Sequence, residues 1–201
     1  MNDLSIWFGT VINEINTKID VNPIKDYVYN LKKELPHSNI GSVVGAWQSP
    51  DLLDNDVFNP VKDEIFHNAD VMSKMFNIRE DKELVISNMW ANVNPRGGSN
   101  KPHTHPGAVF SGVFYIQVPK NSGDICFTHP ANNHNYHFNV HTVTNWNIVN
   151  SGGRNITPSV GKMIMFPGYQ NHYVEPNLSN EDRIVLGFNI TLTDINRTTN
   201  T

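Results

Sequence analysis

From Glu83 to Leu192 the chain is cut into short β-prone runs, each closed by glycine, proline or asparagine. Leu84–Val93, Val109–Val118, Asp124–Phe127, Lys162–Phe166, His172–Val174 and Arg183–Leu192 carry most of the β-branched and aromatic residues. Tyr136–Val140 and Asn145–Val149 are weaker runs of the same kind. About eight short strands separated by turn residues, such as the loop Pro95–Asn100 and the turns Pro119–Gly123 and Pro167-Gly168, fit an all-β sandwich or jelly roll. The N-terminal part reads differently. Leu4–Ile12 is apolar and β-prone, and Ser42–Trp47 fits a short strand. Two helix signatures open on Asn22-Pro23 and Asn59-Pro60, an N-cap asparagine followed by proline at the first helical position. The first carries Ile24, Tyr27, Val28, Leu31 and Leu35 at helical spacing and stops at Pro36. The second carries Val61, Ile65, Met72 and Met75 or Phe76, has Asp63 and Glu64 in its first turn, and should end near Asn77. The expected fold is therefore mainly β with the N-terminal helices packed on one face. One domain over 1–195 is expected, with the helical elaboration at about 22–77, the barrel core at about 83–193, and a frayed tail at 196–201.

A formal charge of −4, with only 17% charged residues, leaves no basic surplus to neutralise phosphates, so a nucleic-acid partner is not expected. No apolar run of about 18 residues is present, so no membrane span is expected. Met1-Asn2-Asp3-Leu4 lacks the basic and apolar regions of a secretion signal. Cys126 is the single cysteine, which rules out an intrachain disulfide. These features fit a cytoplasmic protein.

Within this β texture, Lys101-Pro102-His103-Thr104-His105-Pro106-Gly107 stands out. Residues two apart in an extended segment share a face, roughly 6–7 Å apart at their Cα atoms, so the two imidazoles can converge on one ion. A jelly roll brings distant strands side by side, so His172, after the run Lys162–Phe166, can complete the set. Three imidazoles suit iron, zinc, copper or nickel, and three ligands on one face leave positions open for chemistry. Of the other histidines, His37 and His67 read as surface or capping residues. His134, His137 and His141 sit in an asparagine-rich hairpin region, and His129 is intermediate. Arg183 heads the apolar run Ile184–Ile190, where a guanidinium is costly unless an anion meets it. A ligand carboxylate gripped bidentately is the sharper reading; a surface pair with Glu181 or Asp182 is the plainer one.

Together, His103-Thr104-His105, Tyr115-Ile116, Gly161 to Pro167, His172 and Arg183 resemble the double-stranded β-helix iron(II)/2-oxoglutarate-dependent oxygenases. Within them the chain is similar to small oxygenases of marine bacteria and phages, through Trp47-Gln48-Ser49, Ser111 to Tyr115, Phe166-Pro167, Arg183-Ile184 and Phe188-Asn189. The resemblance runs from about Leu4 to Ile190. It implies a jelly-roll, cupin-like double-stranded β-helix. It also implies an enzyme that couples decarboxylation of 2-oxoglutarate, to succinate and carbon dioxide, to hydroxylation of a peptidyl side chain or a small metabolite by dioxygen. A phage-encoded member would work in the host cytoplasm, with ascorbate as a candidate reductant. His103, His105 and His172 would hold the iron, Arg183 and Tyr115 the far carboxylate of 2-oxoglutarate, and Asn92 would face the cofactor. Two features depart from the pattern. His105 stands where most members carry aspartate or glutamate, so three neutral ligands would leave the iron at +2. Val185 stands where many relatives place a serine or threonine that shares the carboxylate. If His105 did not bind, a carboxylate such as Asp124 would have to supply the third position.

Two other readings compete. A cupin would also use Gly97 with His103 and His105, and Gly161 with Pro167 and His172. However, Val109-Phe110 stand where its glutamate ligand should be, and it would not require Arg183. A non-catalytic jelly roll that binds sugars would draw on Trp7, Trp47, Trp90 and Trp146, for which core packing is the plainer role.

Overall fold

The structure is a computed structural model and describes residues 5–6, 9–37, 41–130 and 141–195. In chain order its strands are β1 (Asn13–Asn16), β2 (Val43–Val44), β3 (Trp47–Gln48), β4 (Lys82–Asn94), β5 (Ser99–His103), β6 (Phe110–Gln117), β7 (Ile125–Thr128), β8 (Gly153–Ile156), β9 (Lys162–Pro167), β10 (His172–Val174) and β11 (Arg183–Asp194). The helices are α1 (Asn22–Glu34) and α2 (Asn59–Met75), the second entered through a 3-10 turn at Asp56–Phe58. Six strands form one sheet in the order β1-β9-β6-β11-β4-β3, and five form another in the order β2-β5-β10-β7-β8; every pairing is antiparallel. The result is the expected mainly β jelly roll with helices on one face. No helix among the described residues is long and apolar enough to cross a membrane.

Period-two alternation in the central strands divides the interior in two. On β11, Ile184, Leu186, Phe188 and Ile190 face a core shared with Phe110, Phe114, Met163 and Met165 of β6 and β9 and with Val61, Ile65, Ala69 and Met72 of α2. Burying each large apolar side chain there stabilises the fold by about 1.5–3 kcal/mol. The opposite face of the same strands carries Tyr115, Ile164, Phe166 and Val185. These pack with Ile125 and Phe127 of β7 and Ile156 of β8 between the two sheets. The inter-sheet space therefore receives one side chain in two from β4, β6, β9 and β11.

The structure departs from the sequence expectations in local detail. Both asparagines expected to cap helices lie inside them; the residues at the caps are Val21 and Phe58, and neither makes a side-chain cap bond. Upstream side chains brace the entries instead, the second by capping the 3-10 turn that leads into α2. Asp20 Oδ1 accepts from Asn22 N at 3.1 Å, and Asn55 Oδ1 accepts from Val57 N at 2.9 Å. No strand forms over the described residues of Leu4–Ile12; the first strand is β1, where the polar Asn13–Asn16 pairs with Met165–Lys162. Edge pairing with β9 overrides intrinsic propensity there. Ser42–Trp47 is split into β2 and β3 at Gly45, whose φ is +61°. Ser99 and Asn100, expected in a loop, join β5 because β2 pairs with them. Asn145–Val149 is a set of turns rather than a strand. Asn147 Oδ1 accepts from Val149 N at 2.9 Å, and Asn150 Oδ1 accepts from Asn147 N at 2.7 Å, so asparagine side chains take the backbone bonds that a ladder would need. The strand in this region is β8 instead. The run Tyr136–Val140, His134 and His137, the tail at 196–201, Trp7 and part of Leu4–Ile12 lie outside the described residues.

Two glycines in the central strands mark places where partners approach too closely for a side chain. A Cβ on Gly112 would meet the carbonyl oxygen of Ile164 at 2.7 Å as well as the Phe188 ring; one on Gly187 would meet the Trp90 indole at 2.6 Å. The first obstacle includes backbone and the second is all side chain. Gly112→Ala is therefore expected to cost more stability than Gly187→Ala. Overpacking costs about 1–3 kcal/mol, and in a chain of this size each kcal/mol moves Tm by about 2–4 °C. Thermal denaturation followed by circular dichroism checks this, and equal or reversed losses would contradict it.

Candidate functional site

His103 closes β5 and His172 opens β10, and the antiparallel register sets them directly opposite one another. His105 lies two residues past the end of β5. Its N–H donates to Gly168 O at 2.8 Å and its carbonyl accepts from Ala108 N at 3.2 Å, which fixes the loop against the end of β9. The ring centroids of His103 and His172 are 4.3 Å apart, those of His103 and His105 5.0 Å, and those of His105 and His172 5.2 Å. One ring nitrogen from each lies within 4.8 Å of the other two, close enough for one ion to meet all three. Nδ1 of His103 is 2.7 Å from Lys101 O, and Nδ1 of His172 is 3.0 Å from Gln170 O. A carbonyl acceptor puts the proton on Nδ1 and leaves Nε2 as a lone-pair donor, the arrangement in which imidazoles coordinate metals. Phe166 and Phe127 pack on His172 with ring centroids at 4.6 and 5.8 Å. Burial lowers the pKa of all three imidazoles, to about 4 for His105 and about 3 for His172, so the neutral, ligating form prevails at neutral pH.

The histidines open onto a cavity of about 520 Å³, counted out to its mouth, that runs between the sheets to Arg183. Trp90 lies over Gly187 on its wall, with its ring centroid 6.1 Å from that of His105. Arg183 is 1% exposed. Its Nη1 donates to the carbonyl oxygens of Ser122 and, at 3.2 Å, Glu175. Its Nη2 is buried with no partner. Neither Glu181 nor Asp182 pairs with it: Asp182 accepts from the Tyr29 hydroxyl at 3.4 Å and lies 4.0 Å from Lys32 Nζ. The surface-pair reading of Arg183 therefore gives way to an inward guanidinium with a donor to spare. Burial lowers its pKa, opposed by the fields of Tyr115 and Glu175. Tyr115 lines the same end of the cavity, 1% exposed, and burial raises its phenol pKa, so it stays a neutral donor. Asn92 is on the wall too, with Oδ1 buried and unpartnered.

The cavity thus unites His103, His105, His172, Arg183, Tyr115 and Asn92. It also contains Asn94, which the sequence reading passed over. Asn94 is fully buried, stands in register opposite Arg183, and has neither side-chain polar atom hydrogen-bonded. Asparagines at two successive inward positions, 92 and 94, alternating with the buried Ala91 and Val93 at the end of β4, are the signal that was there to find. Asp124 does not join the histidines; it lines a separate surface groove with Glu175 and Leu178. His37 and His67 are exposed, and neither they nor His129 nor His141 belong to the cluster. Trp47 is core, its indole N–H donating to Leu35 O at 2.8 Å; Trp146 is half exposed.

Comparison with known proteins agrees with this geometry. Residues 88–189, just over half of the chain and every cavity-lining residue except Ser42, match the model of the family described as "Putative 2OG-Fe(II) oxygenase". A search of curated sequences returns no match. Among solved structures, a Pseudomonas putida prolyl-4-hydroxylase is similar at 11% identity with a TM-score of 0.59, over 90% of this chain and 91% of that one. A viral collagen prolyl hydroxylase from Paramecium Bursaria Chlorella virus-1, in complex with 2-oxoglutarate, is similar at 11% identity with a TM-score of 0.57, over 89% and 94%. A Trichoplax adhaerens prolyl hydroxylase, bound to a hypoxia inducible factor peptide, is similar at 13% identity with a TM-score of 0.63, over 90% and 83%. At such identities the likeness is one of fold, that of the double-stranded β-helix. The family match supplies the rest: this chain belongs to the 2OG-Fe(II) oxygenase family.

Proposed function

We propose that residues 1–195 form one catalytic domain, an iron(II)- and 2-oxoglutarate-dependent dioxygenase that hydroxylates a C–H bond of a peptidyl side chain or a small metabolite. Succinate and carbon dioxide are the co-products, and ascorbate is the reductant that keeps the metal ferrous. His103, His105 and His172 hold the iron. Arg183 and Tyr115 hold the far carboxylate of 2-oxoglutarate, and Asn92 faces the cofactor along its length. Dioxygen would be the oxidant, one oxygen atom going to the substrate and the other to succinate; 2-oxoglutarate would supply two of the four electrons as it loses carbon dioxide, and the iron would be the site of that chemistry. The protein orients the reactants and excludes water from them. Phe127 and Phe166 dehydrate the metal side, and the carbonyl-anchored Nδ1 atoms of His103 and His172 fix the ligating faces. Three neutral ligands leave iron(II) with its full charge, which favours a dianionic cofactor. A cytoplasmic setting fits the one unpaired cysteine, Cys126, which stays reduced there.

The observation that carries this reading is the unpartnered Nη2 of Arg183, buried in the cavity that contains the histidines. A buried guanidinium donor without an acceptor is costly unless a ligand meets it. A cupin that makes no use of 2-oxoglutarate would have no call for such a donor at that end of the cavity.

Iron(II) and 2-oxoglutarate added without oxygen should give the visible metal-to-ligand charge-transfer band of a chelated 2-oxo acid. The intact protein giving no band would sink the reading. Arg183→Ala should keep the band but raise the 2-oxoglutarate concentration needed for it by roughly 30-fold or more, the scale for truncating one partner of a buried charge pair. His172→Ala should abolish stoichiometric iron by metal analysis. His105→Ala should lose stoichiometric iron, while His105→Asp, which restores a carboxylate ligand, should retain one iron per chain; full retention of iron in His105→Ala would mean that position 105 lies outside the coordination sphere.

A further inference from the structure

Among the described residues, Asn94 is the one side chain with two buried polar atoms that lack a partner. It is fully buried, yet neither Oδ1 nor Nδ2 has a hydrogen-bond partner. Each unpaired buried polar atom is a substantial cost to the fold, and native proteins rarely keep two on one side chain without a use for them. Its place in the sheet suggests the use. Asn94 on β4 is the register partner of Arg183 on β11, and directly opposed side chains on one face of an antiparallel pair have Cβ atoms about 4.5–5.5 Å apart. Both line the same end of the cavity, and Nη2 of Arg183 is unpartnered as well. Two residues along, Val185 offers no hydrogen bond; its own register partners, Asn92 and Tyr115, flank it on either side. The unsatisfied donors at this end therefore come from two neighbouring strands, and the strand that carries the arginine supplies no hydroxyl to help it.

We infer that Asn94 is a cofactor-binding residue: its Nδ2 donates to the far carboxylate of 2-oxoglutarate beside Arg183 Nη2, making the bond that Val185 does not. This rests on the cofactor reading given above and adds to it a residue on β4. The far carboxylate then meets donors from both β4 and β11.

The test measures binding rather than turnover. Protein loaded with iron(II) under anaerobic conditions is titrated with 2-oxoglutarate and, separately, with pyruvate, which chelates through the same 2-oxo acid group but has no second carboxylate. The charge-transfer band reports both dissociation constants. Asn94→Ala should weaken 2-oxoglutarate by about 10- to 100-fold, the range for a hydrogen bond to a charged group, and change pyruvate by less than about 2-fold. Asn94→Ser, which keeps a small donor, should recover part of the loss and stands in if the alanine variant does not fold. Asn94→Asp sets a carboxylate against Arg183 and should weaken 2-oxoglutarate more than alanine does. If the substitutions leave 2-oxoglutarate binding unchanged, or weaken both acids in equal proportion, Asn94 does not touch the far carboxylate although the cofactor reading stands. Absence of any band in the unsubstituted protein overturns both.

Discussion

Strand β11 holds the structure together through its two-sided pairing with β4 and β6. Along it, Ile184, Leu186, Phe188 and Ile190 close the helix-side core, while Arg183, Val185 and Gly187 face the cavity. Because side chains alternate with period two, a slip of one residue in this register would drive the Arg183 guanidinium into the core and turn the large apolar side chains into the cavity. The apolar residues therefore fix the functional ones in place. The helices matter to the site in the same indirect way, since Val61, Ile65 and Met72 of α2 complete the core that pins the register.

The metal end depends on a second pairing, between β5 and β10. His103 and His172 meet because two short strands, 69 positions apart in sequence at these residues, are antiparallel neighbours. His105 belongs to neither strand, and its backbone bonds to Gly168 and from Ala108 hold it in reach. The triad is thus two ligand candidates on a rigid ladder and one on a braced loop.

The parts of this arrangement that were legible in the sequence were those with a local cause. A His-x-His pair before a strong β run, a later histidine after a Pro-Gly turn, and an arginine at the head of an apolar strand each violate a local expectation, and each reads as a site. α1 and α2 were legible from their apolar stripes. What the sequence did not disclose was set by partners. β1 is a strand because β9 pairs with it, despite its polar Asn-Glu-Ile-Asn composition. Asn145–Val149 has strand-forming residues, yet side-chain bonds from Asn147 and Asn150 hold it in turns. Asn94 looked like one more asparagine in an asparagine-rich chain, and only the register with Arg183 and the two vacant bonds set it apart.

The backbone carbonyls that hold Nη1 of Arg183 have a consequence for the entropy of ligand binding. Ser122 lies in the turn between β6 and β7, and Glu175 directly follows β10, so the guanidinium is tethered from two separate parts of the barrel. A free arginine gives up rotamer freedom of about 2 kcal/mol when a ligand fixes it. Here folding has already removed that freedom, and Nη2 is left pointing from a planar group that has little room to turn. An anion arriving in the cavity meets a donor whose direction was set before it came, so little of the interaction is lost to ordering.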